Sequence, residues 1–127
     1  MEMVHNALTW FEIPVADFDR AKKFYETIFD YEMPEQQMGP NRMGFFLYEQ
    51  QQGGIGGAIV QGEWYVPSPH GATIYLNGGN DLLHVLNRIA EAGGKVLVTK
   101  TLLTEELGYI AFFLDTEGNR LALHSMK

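Results

Sequence analysis

Few side chains in this sequence are equipped for chemistry, and they are scattered along it. Cysteine is absent, which removes thiolate nucleophiles, thiolate metal sites and disulfides together. The only serines, Ser68 and Ser125, lie outside any G-x-S-x-G context, so a serine nucleophile would lack its elbow. There are four histidines. His5 lies near a chain end, His70 in a Pro-rich stretch and His84 off the apolar face of a helix, positions that normally meet water. His124 differs in standing within the strand-like run NRLALHS. Glu12 stands likewise within LTWFEIPV, residues 8 to 15, where a carboxylate among apolar neighbours is costly unless paired or used. A carboxylate and an imidazole make general acid–base work the chemistry to test. The glycines at 53, 54, 56 and 57 are followed by neither a helix nor Lys-Ser/Thr, both of which a phosphate cradle requires. DTEGN, residues 115 to 119, has a calcium-like composition without calcium-loop spacing, and reads as a turn.

The elements that must position these residues follow from periodicity. LTWFEIPV, rich in aromatic and β-branched residues, predicts a strand. Asp17 then caps FDRAKKFYETIF, in which Ala21, Phe24, Tyr25 and Ile28 share one helical face. YEMPEQQM is read as a short edge strand because Pro34 cannot donate to a ladder. MGFFLYEQ is a better strand, and the glycines after it predict a hairpin turn into AIVQG. Beyond a Pro-rich connector, EWYVPSPHG, the pattern restarts. ATIYLN predicts a strand, and Asn80 or Asp81 caps a helix with Leu82, Val85, Leu86 and Ile89 on one face and a stop at Gly93. KVLVTKTL, GYIAFFLD and NRLALHS complete the set as strands.

The chain is therefore read as one α+β domain, residues 1–127, built from two βαβββ repeats, 7–62 and 71–125. Each helix covers one face of a four-stranded sheet, and the paired sheets are expected to enclose a central cavity, the default binding site. At 127 residues with 46% apolar content a single core suffices without a disulfide or structural metal. Nine Lys plus Arg against sixteen Asp plus Glu leave a net charge of −7, which repels phosphate backbones and anionic lipid, so neither nucleic acid nor membrane is an expected partner. The acidic N-terminus, the absence of cysteine and the lack of any long apolar run make the cytoplasm the expected compartment.

EIPVADFDRAKKFYETIF in the first repeat, with GGKVLV and GYIAFFLDTEGNRLALHS in the second, resembles the vicinal-oxygen-chelate superfamily of glyoxalase I, extradiol dioxygenases and bleomycin-resistance proteins. The likeness covers about residues 7 to 125, and WFEIPV, YVPSPHG and FFLDTEGNRLALHS look like a glyoxalase-like subfamily without a settled activity. The resemblance implies a divalent metal between the halves, held from the first and last strand of each repeat. Carried onto this sequence, those positions are Trp10, Thr73, Ala122 and a residue near Ala58 or Ile59. Indole, hydroxyl, methyl and an aliphatic chain do not ligate such a cation. No cofactor is expected, and a divalent metal only at an unconventional site using Glu12 and His124.

If the family's ligand positions face the cavity, strand periodicity turns Glu12, Tyr75 and His124 the same way, one step further along each strand. These three are the candidate catalytic residues, with Arg120 as a partner for Glu12. Trp10, Thr73, Ala122, Arg120 and Trp64 are candidate ligand-binding residues, Trp10 as a flat apolar wall. Trp64 and Tyr65 form a lid or a dimer contact near the entrance of the second repeat. The function expected first is binding of a small organic molecule without metal. The alternative is a glyoxalase-like lyase or isomerase with Glu12 as base and His124 or Tyr75 as donor, and a third is a dimeric interaction module whose cavity has closed. The resemblance also implies a homodimer.

Overall fold

A computed structural model describes residues 1–127. Its elements run β1 (Phe11–Pro14), α1 (Phe18–Phe29), β2 (Glu35–Met38), β3 (Asn41–Phe45), β4 (Gly57–Gln61), β5 (Tyr75–Asn77), α2 (Leu83–Ala92), β6 (Lys95–Thr104), β7 (Gly108–Leu114) and β8 (Arg120–Ser125). They form two four-stranded mixed sheets, ordered β1-β4-β3-β2 and β5-β8-β7-β6, the first strand of each repeat lying parallel to the last. This is the α+β arrangement of two βαβββ units.

Differences from the sequence reading lie at element ends and have local causes. β1 begins only at Phe11, which stands opposite Gly57, the first residue of β4. Residues 8 to 10 have no partner strand and leave Leu8 exposed. β2 starts just after Pro34, whose carbonyl accepts from Phe45 N–H at 2.8 Å. The connection from β3 to β4, residues 46–56, is not the expected tight hairpin, because a 3-10 turn at Gln50–Gln52 lengthens it. Asp17 caps α1 by accepting from Arg20 N–H at 3.1 Å. At α2 the helix-capping residue is Leu82; Asp81 accepts from Leu83 N–H and Ser125 Oγ from Leu82 N–H, each at 3.0 Å.

Both helices pack on one side, and through them the sheets share a single apolar core. Ala21, Phe24, Tyr25 and Ile28 of α1 meet Val85, Leu86 and Ile89 of α2, with Ile13 and Ile59 below from the first sheet and Phe113, Leu121 and Leu123 from the second. Full burial of such side chains contributes about 1.5–3 kcal/mol each before chain entropy is subtracted. Gly44 lets this core close: a Cβ there would lie 2.7 Å from Met33 Sδ and 3.2 Å from the Phe18 ring.

The segment 115–119 binds the repeats together. Buried Asp115 accepts from Tyr25 Oη at 2.7 Å and from Asn119 Nδ2 at 3.0 Å, and its other oxygen accepts from the Glu117 and Asn119 backbone N–H groups. Burial, and then the Asp115 carboxylate, push the Tyr25 phenol well above its ordinary pKa, so it remains a donor. Glu117 accepts from Ala16 and Asp17 N–H at 3.0 and 2.7 Å and pairs with Arg20 at 2.8 Å. Asn119 donates to Pro14 O at 2.7 Å and accepts from Ser68 N–H at 3.0 Å. Gly118, at φ +85, allows the tight turn.

Candidate functional site

The faces turned away from the helices carry the predicted site residues, and register shows which stand level. In the first sheet Glu12 is opposite Ala58, and Ala58 opposite Phe45. In the second, Tyr75 is opposite Ala122, and Ala122 opposite Phe112. Glu12 and Tyr75 are thus repeat equivalents, as are Ala58 and Ala122. His124 stands a step beyond, opposite Asn77 and Ile110. The expected single layer of Glu12, Tyr75 and His124 is therefore corrected: the parallel register gives His124 the neighbour Asn77 instead of Tyr75.

Along the seam between the repeats lies a cleft of about 150 Å³. β1 supplies Glu12 and Pro14, the connector Val66, Ser68 and Ala72, β8 Arg120, and Ile74 adds apolar lining. The Glu12 carboxylate accepts from Tyr65 Oη at 2.6 Å. That bond, followed by burial, raises the Tyr65 phenol above its ordinary pKa and keeps it protonated. Arg120 does not pair with Glu12. Its Nη2 donates to Thr73 Oγ1 at 2.8 Å and its Nε to Pro69 O at 3.3 Å, while the guanidinium lies 5.5 Å from the Phe112 ring centroid. Extended backbone in β8 turns Arg120 to the same face as Ala122, within reach of the connector.

The remaining candidates fall elsewhere. His124 lines a separate, polar pocket with Asn77, Asn80 and Lys127, its Nε2 within hydrogen-bond range of Leu107 O. Tyr75 is 53% exposed and packs edge-on to Phe112 with centroids 6.1 Å apart. Trp10 packs beside Phe45 at 6.2 Å in a small cluster with Met43, Ala58, Val60 and Tyr65, so it is wall material of the first sheet. Trp64 is 89% exposed and lines neither pocket. The aromatic lid is its neighbour Tyr65, and it covers the first repeat, not the second. Sequence reasoning gave no separate role to Tyr65, Ser68 or Asn119. No local signal marked Tyr65: Glu63 and Trp64 form a turn closed by Tyr65 N–H to Gly62 O at 3.1 Å, and that turn sets the two aromatic side chains apart.

A family model described as bleomycin resistance protein-like N-terminal matches residues 7–45. A glyoxylase-like domain-containing protein of Didymella fabae is 29% identical over 124 residues, covering 95% of this chain and 94% of its own. Among solved structures, the glyoxylase/bleomycin resistance protein/dioxygenase domain from a Frankia species superposes with a TM-score of 0.69 at 16% identity, covering 98% of this chain and all of that one. The chain has the fold of these glyoxalase and bleomycin-resistance structures, and the sequence matches agree with the resemblance to the vicinal-oxygen-chelate superfamily. An antibiotic-binding protein from a Streptomyces species, TnmS3, shares this fold with a TM-score of 0.64 at 21% identity, covering 98% of each chain.

The superfamily that the sequence resembles implies a divalent metal, and the residues present do not fit one. Ala58 and Ala122 are fully buried methyl groups on the helix-free faces, Ile59 turns into the helix-side core, and Thr73 is engaged by Arg120. No three His, Asp or Glu side chains cluster as a cation would require. Where the metal would be held, the chain presents the Trp10 indole, the Thr73 hydroxyl and the Ala58 and Ala122 methyl groups.

Proposed function

We propose that this protein binds a small organic molecule in the seam cleft without the superfamily's metal. The observation that carries the reading is the cleft itself: a partly apolar lining that includes Glu12 and Arg120, two charged side chains engaged only by neutral partners. Recognition sites have this composition, apolar area for affinity with a few polar groups for orientation. The antibiotic-binding relative supports the class of function. At about 150 Å³ the cleft falls below the roughly 300–1,000 Å³ of drug-sized pockets, which favours a metabolite-sized ligand. The lyase alternative finds less support, because His124 and Glu12 line different pockets and no imidazole reaches the carboxylate.

The test is a fragment screen by thermal shift on wild type, Glu12→Gln and Arg120→Met. Fragments that stabilise wild type and lose about tenfold or more in affinity in either variant support the reading, since charge-assisted contacts are worth that much. Fragments bound equally by all three proteins would contradict it. The exposed apolar side chains Tyr75 and Val98, which flank Ala122 and Phe112 across the helix-free face, support a homodimer in which a second copy covers the second sheet. Sedimentation at micromolar concentration as a 14.4 kDa species would refute that.

A further inference from the structure

The charges in the cleft narrow the ligand further. Arg20, Lys22, Arg42 and Lys100 all sit within ion-pair distance of carboxylates. Glu12 and Arg120 flank one cleft and yet do not pair. The carboxylate takes a phenolic hydroxyl, and the guanidinium takes a hydroxyl, a backbone carbonyl and an aromatic face. Each charge is held in place from outside the cleft: Tyr65 is fixed by the cluster over the first sheet, while Thr73 and Pro69 belong to the connector that Asn119 ties down through Ser68. The two cannot collapse onto each other without giving up those contacts. Ile74, Ala72, Val66 and Pro14 supply apolar lining of the same cleft.

We propose that the cleft selects a small dipolar molecule, a primary ammonium and a carboxylate joined by a short apolar body, with the ammonium on Glu12 and the carboxylate on Arg120. This rests on the small-molecule reading above and names its ligand class. The guanidinium presents a planar fork suited to a carboxylate, and the Glu12 carboxylate, beside the Tyr65 ring, suits an ammonium. An anion alone would leave Glu12 facing it, and a cation alone would face Arg120. A dipolar ligand satisfies both walls at once.

Calorimetric titration of the full chain with four forms of one body tests this: valine, valinamide, N-acetylvaline and N-acetylvalinamide, with the corresponding forms of γ-aminobutyrate for a longer charge separation. The zwitterion of at least one series should bind about tenfold or more tighter than its singly blocked forms. In Glu12→Gln the advantage over the N-acetyl form should vanish, and in Arg120→Met the advantage over the amide. Equal affinity for zwitterion and doubly blocked form, or binding by none of the compounds, overturns the proposal. The fragment screen then separates the two levels. Hits lost in Glu12→Gln or Arg120→Met keep the cleft as a small-molecule site and discard only the dipolar class, whereas no such hits discard both.

Discussion

The two sheets are built alike and finished differently. Each presents an alanine between an aromatic ring and a polar residue, Glu12–Ala58–Phe45 in the first and Tyr75–Ala122–Phe112 in the second. Over the first, the connector folds back and Tyr65 buries Met43, Ala58 and Val60. Over the second the connector reaches only Arg120, and Tyr75 and Val98 stay 53% and 43% exposed. One connector serves two such faces, so the first is closed by the chain itself and the second stays more open. The cleft sits where the two conditions meet.

The largest effect should come from breaking what ties the finished half to the unfinished one. Asp115→Ala would strand the buried Tyr25 hydroxyl, the Asn119 amide and two backbone N–H groups. At about 1–3 kcal/mol for each unsatisfied group, a loss of about 4 kcal/mol or more is expected in urea unfolding, as a shift of one cooperative transition. Two separated transitions would mean the halves fold independently.

The contrast between the faces predicts a smaller, asymmetric pair. Tyr65→Ala should cost about 2 kcal/mol by uncovering the first sheet, and Tyr65→Phe about 1 kcal/mol by removing only the bond to Glu12. Tyr75→Ala, its counterpart over the open face, should change monomer stability by no more than about 0.5 kcal/mol. Equal losses at 65 and 75 would erase the distinction drawn between the faces.

Much of this was legible in the sequence, for a physical reason. The helix over FDRAKKFYETIF matches its structural span, Phe18–Phe29, because Asp17 supplies the cap and four apolar residues fix one face. The repeat was legible because both helices bury their stripes into one core. What periodicity cannot report is register between strands, and that decided the site: the parallel pairing of β5 with β8 placed Tyr75 beside Ala122 and left His124 to Asn77. Nor can it report where an irregular connector lies. Tyr65 over Glu12, and Pro69 beneath Arg120, are long-range contacts with no local signature.

A pH effect of smaller size should follow from Glu117. Burial alone would raise its pKa, but the Arg20 guanidinium, the Asp17 N–H and the Thr116 hydroxyl outweigh it and hold the carboxyl below its ordinary value. A folded-state pKa depressed in this way adds stability that is complete above the unfolded value and is lost as pH falls through the folded one. Acid titration of unfolding should therefore show stability declining across the carboxylate range, with a shallower decline in Glu117→Gln. An unchanged slope in that variant would remove Glu117 from the account.

The most direct test of the central claim, that the seam cleft is the binding site, is amide chemical-shift mapping by NMR of the isotopically labelled protein with the best-bound fragment or zwitterion. Shifts concentrated at Glu12, Ser68, Ala72, Ile74 and Arg120, and absent in Glu12→Gln, are predicted. Shifts centred on Asn77, Asn80 and His124, with the seam undisturbed, would contradict it.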